Sequence, residues 1–346
     1  MKTQSSDITL YGEGIDLGYG KHAALKIGNG GMAIRISLAP LASAVANEGG
    51  LGVIAGSGLS VEEARKHIRE GKSLLKPDCK GLIGFNAMVR LNDFLPLVKM
   101  AVKEKVDFIM AGAGFSKDAL RLCQKAKIPY IPIVSQVKGA RIAKKLGATA
   151  IVLEGAEAGG HKGTKDPTKK IFPAVREAVK IPIIVAGGIT TGSDIYYFLS
   201  RGANGVQIGT RFAVADESSA ADEWKDEVIK VTKADIVIIT TPAGMPFAAI
   251  DDEDIIDNFV EQVGDGKTFK ELSQEFETET CDRCLDTCQR DKHCILHALE
   301  RAQQGDVITG AVTVGDRVGT VRKRRSVKDT IKMLETGFEK AKQKTL

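Results

Sequence analysis

His161 closes the stretch Glu154-Gly155-Ala156-Glu157-Ala158-Gly159-Gly160. An imidazole gains and loses charge near neutral pH, so at the rim of a cleft it can act as general acid or base. Glu154 and Glu157 flank it. Either could orient the ring or bind a ligand hydroxyl, either could be solvated, and an isolated histidine is more often a surface residue without a role. Two other stretches, Ala186-Gly187-Gly188-Ile189 and Gln207-Ile208-Gly209-Thr210, put glycine where a backbone must approach a ligand closely. The N–H groups of Gly188, Gly209 and Thr210 could hold a phosphate dianion. The alternative is that these glycines only make tight turns. A third group, Cys281, Cys284, Cys288 and Cys294, has the spacing C-x2-C-x3-C-x5-C, with His293 and His297 close by. Four thiolates so near one another could hold Zn or a [4Fe-4S] cluster; they could also be reduced structural cysteines or a redox pair.

Groups so far apart in sequence need a scaffold that gathers them. Short apolar runs recur at Ala24–Gly28, Leu51–Ala55, Gly81–Asn86, Val106–Ala111, Pro129–Val134, Thr149–Leu153, Ile181–Ala186 and Gly205–Gly209, each followed by apolar residues at helical spacing. Runs without polar alternation are what parallel strands covered on both faces require. Ser60 before Val61-Glu62-Glu63 reads as a capping box and Ser116 as a plain N-cap. Eight such units predict an α/β fold, a closed (β/α)8 TIM barrel with a smaller mostly helical cap segment. An open doubly wound sheet is the alternative, but no GxGxxG opens a helix after the first strand. The barrel with its C-terminal helix is expected over 20–215 and 305–346, and the cap or insert with the cysteine cluster over 216–304. An apolar run at Ile236–Ile239 lies in the cap, and Val327, Ile331, Leu334 and Phe338 predict a terminal helix packed on the barrel.

Composition agrees with this scaffold. Only 5% of residues are aromatic while 37 are glycine, which suits parallel strands joined by tight turns. The net charge of +5 is spread along the chain, and the one dense run, Arg322-Lys323-Arg324-Arg325, reads as a solvated loop rather than a nucleic-acid contact. No stretch is apolar enough for a membrane helix, and MKTQSSDITL has no signal core, so a cytoplasmic protein is expected.

Taken together, the motifs resemble the nitronate monooxygenase (2-nitropropane dioxygenase) family, which also contains the FMN-dependent enoyl-ACP reductases. The matching stretches are GGM at 30–32, GGLGVIAG at 49–56, the strand ending in Asn86, EGAEAGGHKG at 154–163, IPIIVAGGI at 181–189 and GANGVQIGTRF at 202–212. The resemblance implies bound FMN, set against Gly30, Gly31 and Met32, with Asn86 hydrogen-bonding it and Glu154 and Gly159 as further contacts. Gly188 and the stretch Gln207, Ile208, Gly209 and Thr210 carry over as the phosphate grip, and His161 matches the family's catalytic histidine. Asn29 stands where family members often have Gln, and Glu154 stands where many nitronate monooxygenases have Gln and the enoyl-reductase branch has Glu. The expected activity is oxidation of alkyl nitronates. The alternatives are an NAD(P)H-dependent enoyl-ACP reductase, docking acyl carrier protein on Lys225, Lys230 and Lys233, a non-catalytic flavin or metal electron carrier, and a flavin-free phosphate-binding barrel. A homodimer fits any of them.

Overall fold

The computed structural model describes residues 8–241, 244–250, 284–285 and 294–345. Its centre is an eight-stranded closed barrel. After a small antiparallel hairpin, β1 (Ile15–Asp16) and β2 (His22–Ala23), the barrel strands are β3 (Ile27–Asn29), β4 (Leu51–Ala55), β5 (Leu82–Met88), β6 (Phe108–Gly112), β7 (Tyr130–Val134) and β8 (Ile151–Glu154). The two-residue β9 (Gly160–His161) lies outside the barrel, which is completed by β10 (Ile183–Ala186) and β11 (Gly205–Ile208). The strands pair in parallel around the ring, with β11 closing against β3. β4 and β6 are buried at every position, as continuous apolar runs covered on both faces must be.

The first barrel strand begins at Ile27, not at Ala24. Ala23 still belongs to the hairpin, paired with Ile15, and the next three N–H groups donate to the carbonyls of Lys80, Gly49 and Leu10, so residues 24–26 link the hairpin to the barrel. That hairpin plugs the barrel: Ile15 and Leu17 pack with Val53, Phe108, Met110, Val152 and Ile184. A Cβ on Gly205 would lie 2.4 Å from Ile15 Cδ1, so glycine at that point makes room for the plug.

Helices α1 (Ala39–Asn47), α2 (Val61–Ser73), α3 (Phe94–Lys103), α4 (Lys117–Ala126), α5 (Val137–Leu146), α6 (Thr168–Ala178), α7 (Gly192–Leu199) and the one-turn α8 (Thr210–Ala213) follow the strands. The expected caps are formed. Ser60 and Glu63 exchange side-chain and backbone hydrogen bonds, and Ser116 Oγ accepts from Ala119 N–H.

Beyond the barrel come α9 (Asp222–Lys230), β12 (Ile236–Thr240), β13 (Pro246–Ile250), α10 (Ile295–Gln303) and α11 (Val327–Gln343). The apolar run at Ile236–Ile239 is strand β12, and it forms a three-stranded antiparallel sheet with β13 and β9. Trp224 of α9 is buried with Ile36, Val214, Val312, Val314 and Val318, which fastens this segment to the barrel. The stripe Val327, Ile331, Leu334 and Phe338 is buried in the core shared with α7. The basic run is at the surface, with Arg322 and Lys323 exposed, and two of its arginines are hydrogen-bonded to the protein. Arg322 Nη1 donates to the carbonyls of Ile229, Lys230 and Val231 at 3.1, 2.8 and 3.0 Å, and Arg324 pairs with Asp222 at 2.6 Å. A cation on the last carbonyls of a helix opposes its terminal partial charge. Among the described residues no helix is long and apolar enough to cross a membrane.

Candidate functional site

A cavity of about 290 Å³ opens at the C-terminal ends of the barrel strands. The loop after β3 brings Gly30, Gly31 and Met32 to it, β5 brings Asn86, and β8 with its following loop brings Glu154, Gly159 and His161. The loop after β10 adds Gly188, strand β11 adds Gln207, and its end adds Gly209 and Thr210. Ile208 is set apart from these. Its side chain is buried in the core between strands and helices, and its carbonyl accepts from Gly30 N–H at 3.0 Å. Asn29 also faces away: Nδ2 donates to the Gly30 and Val53 carbonyls and to Ser37 Oγ, and Oδ1 accepts from Val53 N–H. It clamps β3 to β4, which frees the adjoining glycines to shape the floor.

That floor has hydrogen-bonding capacity to spare. Among the described residues the N–H groups of Gly188, Gly209 and Thr210 meet no acceptor. Gln207 Oε1 and Thr190 Oγ1 are buried without a partner. A buried polar atom left unpaired costs about 1–3 kcal/mol, so this set calls for a ligand carrying both donors and acceptors. There is room for one: a Cβ on Gly209 would meet nothing nearer than Met32 Sδ at 4.0 Å. The opposite holds at Gly31, where a Cβ would lie 2.4 Å from the Asn86 side chain.

His161 belongs to a strand rather than to a free loop. β9 pairs with β13, His161 opposite Phe247, and the two rings meet edge to face with centroids 5.1 Å apart. His161 Nε2 lies 3.3 Å from Thr241 Oγ1, and that hydroxyl donates to the Met245 carbonyl at 3.2 Å. The single hydroxyl proton is thereby used, so Nε2 carries the ring proton and Nδ1 is left as the acceptor. Burial, helped by the charge of Arg90, brings the imidazole down to about 4, so the ring is neutral at ordinary pH. Glu154 is shifted the other way. Desolvation pushes its carboxyl up to about 7 against the opposing pull of Lys162. Glu157 is engaged elsewhere: its Oε2 accepts from Thr168 N–H and Oγ1 at 2.9 Å each. Of the two flanking acids, Glu157 is thus committed to Thr168 and Glu154 is left to face the cavity.

The family profile described as nitronate monooxygenase matches residues 21–78 and 82–337. The chain belongs to the nitronate monooxygenase family. It is 30% identical over 207 residues, 60% of its length, to a 5-hydroxy-7a-methyl-1-oxo-octahydro-1H-indene-4-carboxyl-CoA dehydrogenase of Rhodococcus jostii. That match spans 57% of the relative's own length, less than two thirds. A probable nitronate monooxygenase of Bacillus subtilis is 26% identical over 72% of this chain and 78% of its own. FabK from Thermotoga maritima superposes with a TM-score of 0.79 at 28% identity, covering 92% of this chain and 94% of that one.

In this member of the nitronate monooxygenase family the outer wall of the cavity is apolar, formed by Met88, Leu91, Leu285, Ile295, Leu296 and Leu299. Cys284 and Cys294 also line it. Cys281, Cys288 and His293 lie outside the described residues, and among the described residues no group of three His, Cys, Asp or Glu side chains is placed to hold a metal. Of the three lysines of the expected docking patch, Lys230 and Lys233 are exposed and Lys225 is not. Lys225 is buried, its ammonium lowered by desolvation and by Arg324, while Lys230 pairs with Glu227 at 3.3 Å. Thr241, Phe247 and the strap 311–317, which carries Arg317 to the cavity, have no counterpart among the sequence expectations. Their approach depends on a sheet formed between segments about eighty residues apart, and no local pattern reports that.

Proposed function

We propose that this chain is an FMN-dependent oxidoreductase that oxidises alkyl nitronates. The observation that carries the reading is that His161, neutral and with Nδ1 free to accept, opens onto the same cavity as the unpaired N–H groups of Gly188, Gly209 and Thr210. The residues present fit the cofactor that the family implies. The three N–H groups suit a phosphate, and the orphaned Gln207 Oε1 suits an N–H of a planar heterocycle. Bound FMN would supply the electron acceptor for the substrate and the electron donor for oxygen. The protein's share is then positioning and proton handling. A neutral imidazole gives little attraction to an anion, so His161 serves the proton next to the nitro group rather than steering the nitronate. Nδ1 removes that proton when the neutral nitroalkane enters, and Thr241 holds the ring in the required tautomer.

The test is a visible spectrum of the purified protein followed by oxygen uptake with ethyl and propyl nitronate in the absence of nicotinamide. Flavin bands and nitronate-dependent uptake are expected; a colourless protein that binds no added FMN would sink the reading. A second reading is NAD(P)H-dependent reduction of enoyl thioesters. Glu154, held near pH 7, could donate a proton, and the apolar wall suits an acyl chain. Faster NAD(P)H oxidation with crotonyl thioesters than oxygen uptake with nitronates would put this reading first, and activity in neither assay would leave a flavin carrier. A side chain placed at Gly209 tests the cofactor's seat. Gly209→Ala should leave thermal stability within about 0.5 kcal/mol, since nothing in the protein occupies that space. Its FMN affinity should fall about tenfold or more, read by fluorescence titration, whereas unchanged affinity would move the cofactor away from this loop.

A further inference from the structure

We infer that Arg317 is the cationic part of the phosphate site, gripping the anionic end of a ligand that rests on the N–H groups of Gly188, Gly209 and Thr210. This rests on the FMN reading for the identity of the ligand, but the anion site stands on the geometry of the strap. Residues 311–317 cross the cavity, where Thr313, Val314, Gly315 and Arg317 line it, turn at 316–317, and are tied to the loops after β8 and β11. Val312 and Val314 are buried, Gly315 N–H donates to Thr210 Oγ1 at 3.1 Å, and Asp316 N–H donates to the Glu157 carbonyl at 3.0 Å. A Cβ on Gly159 would lie 2.6 Å from the Val314 carbonyl carbon, so strap and His161 loop are in backbone contact.

Arg317 is held at one end only. Nη1 donates to the Gly188 carbonyl at 2.9 Å and pairs with Asp194. Asp194 is itself fixed, because Oδ2 accepts from Thr190 N–H, Thr191 N–H and Thr191 Oγ1 at 3.2, 2.9 and 2.7 Å. Among the described residues Nε and Nη2 of Arg317 meet no acceptor, and the side chain lines the cavity beside Gly188. An anchored guanidinium with an unpaired edge is the donor geometry that suits phosphate oxygens. The charges around it favour an anion. Arg211 is buried and makes no ion pair among the described residues, its Nε and Nη2 going to the Thr190 and Thr320 carbonyls at 2.8 and 2.9 Å. Three acids close to it are engaged, Asp194 by Arg317, Glu157 by Thr168 and Asp316 by Lys162 at 2.8 Å.

FMN and riboflavin differ by the phosphate alone, so the pair isolates the claim. Apo-protein is titrated with each by fluorescence, as wild type, Arg317→Gln and Arg317→Lys. Arg317→Gln should weaken FMN about 10- to 100-fold, the range for loss of a charge-assisted hydrogen bond, with riboflavin unchanged and Lys restoring part of the loss. Raised salt should weaken FMN binding less in Arg317→Gln than in wild type. Equal losses for both flavins would make Arg317 a strap fastener only, and no loss would remove it from the site; either result overturns the inference. Should the variants fail to fold, phenylglyoxal labelling of wild-type Arg317 decides: protection by FMN but not by riboflavin supports the grip, and equal protection or none refutes it. If wild type binds neither flavin, the FMN reading fails by itself. Calorimetric titration with inorganic phosphate then tests the anion site, and binding undiminished in Arg317→Gln, or absent in wild type, overturns it.

Discussion

Replacing His161 with alanine is expected to cut turnover of the neutral nitroalkane, whose proton Nδ1 removes, by about 10²–10⁴-fold, the range for removing a positioned acid–base group, while FMN stays bound. The imidazole hangs from β9, whose backbone pairing to β13 does not need the side chain, so the loop and its glycines keep their places. Thr241 loses a partner at 3.3 Å and Phe247 loses an edge-to-face contact, which costs some stability but leaves the phosphate loops untouched. The loss should appear in turnover more than in apparent substrate affinity, since proton removal acts in the chemical step and not in binding. The pH dependence gives a second check. The folded-state value of His161 is lowered below 6.5 to about 4, so its contribution to stability is fully present above pH 6.5 and is lost as pH falls through about 4. Glu154 carries the opposite sign. Raised from 4.5 to about 7, it contributes below pH 4.5 and loses that contribution as pH rises through 7. His161→Ala should therefore flatten the acid side of the stability profile and leave the neutral side intact. Turnover within about threefold of wild type, with FMN bound, would take His161 out of the chemistry.

The barrel could be read from the chain because a parallel strand covered on both faces leaves a continuous apolar run, and eight of these stand in order. The glycine loops were legible for a related reason: each follows such a run, and the C-terminal ends of the strands share one rim. What the rim does with each residue is another matter. Strand alternation separates Gln207 from Ile208, since neighbours in β11 face opposite sides; with Gln207 at the cavity, Ile208 must join the helix-facing core. The period of two along a strand is enough to make that distinction. The difference between Glu154 and Glu157 was not available. It turns on Thr168, eleven residues on at the head of α6, whose N–H and hydroxyl face Glu157. The partners of His161 were equally hidden, because a two-residue strand gains its identity only from β13 across the cap. Lys225 looked like surface on a charged helix, yet the same helix face carries Trp224 into the core.

Gly192→Ala should destabilise the fold by about 3 kcal/mol or more, against the direction expected from helix propensity. Gly192 opens α7, where exchanging glycine for alanine normally gains about 0.5–1 kcal/mol. Here a Cβ would lie 2.1 Å from both the Leu334 carbonyl oxygen and the Phe338 nitrogen, and 2.4 Å from the Gly337 carbonyl carbon. All three are backbone atoms of α11, so no rotamer change relieves the contact and the two helices must separate. Overpacking typically costs about 1–3 kcal/mol where side chains can move, which puts a backbone clash at or above the top of that range. A thermal melt should show a fall in Tm of about 4 °C or more, for a loss of that size in a chain this long. The separation also reaches the ligand site. Three residues into α7, Asp194 holds the Thr190–Thr191 loop and the guanidinium of Arg317, so a displaced helix start moves both. FMN affinity should fall in this variant together with stability, whereas Gly209→Ala loses affinity alone. An unchanged Tm for Gly192→Ala would mean that α7 and α11 have slack that their backbone contact denies.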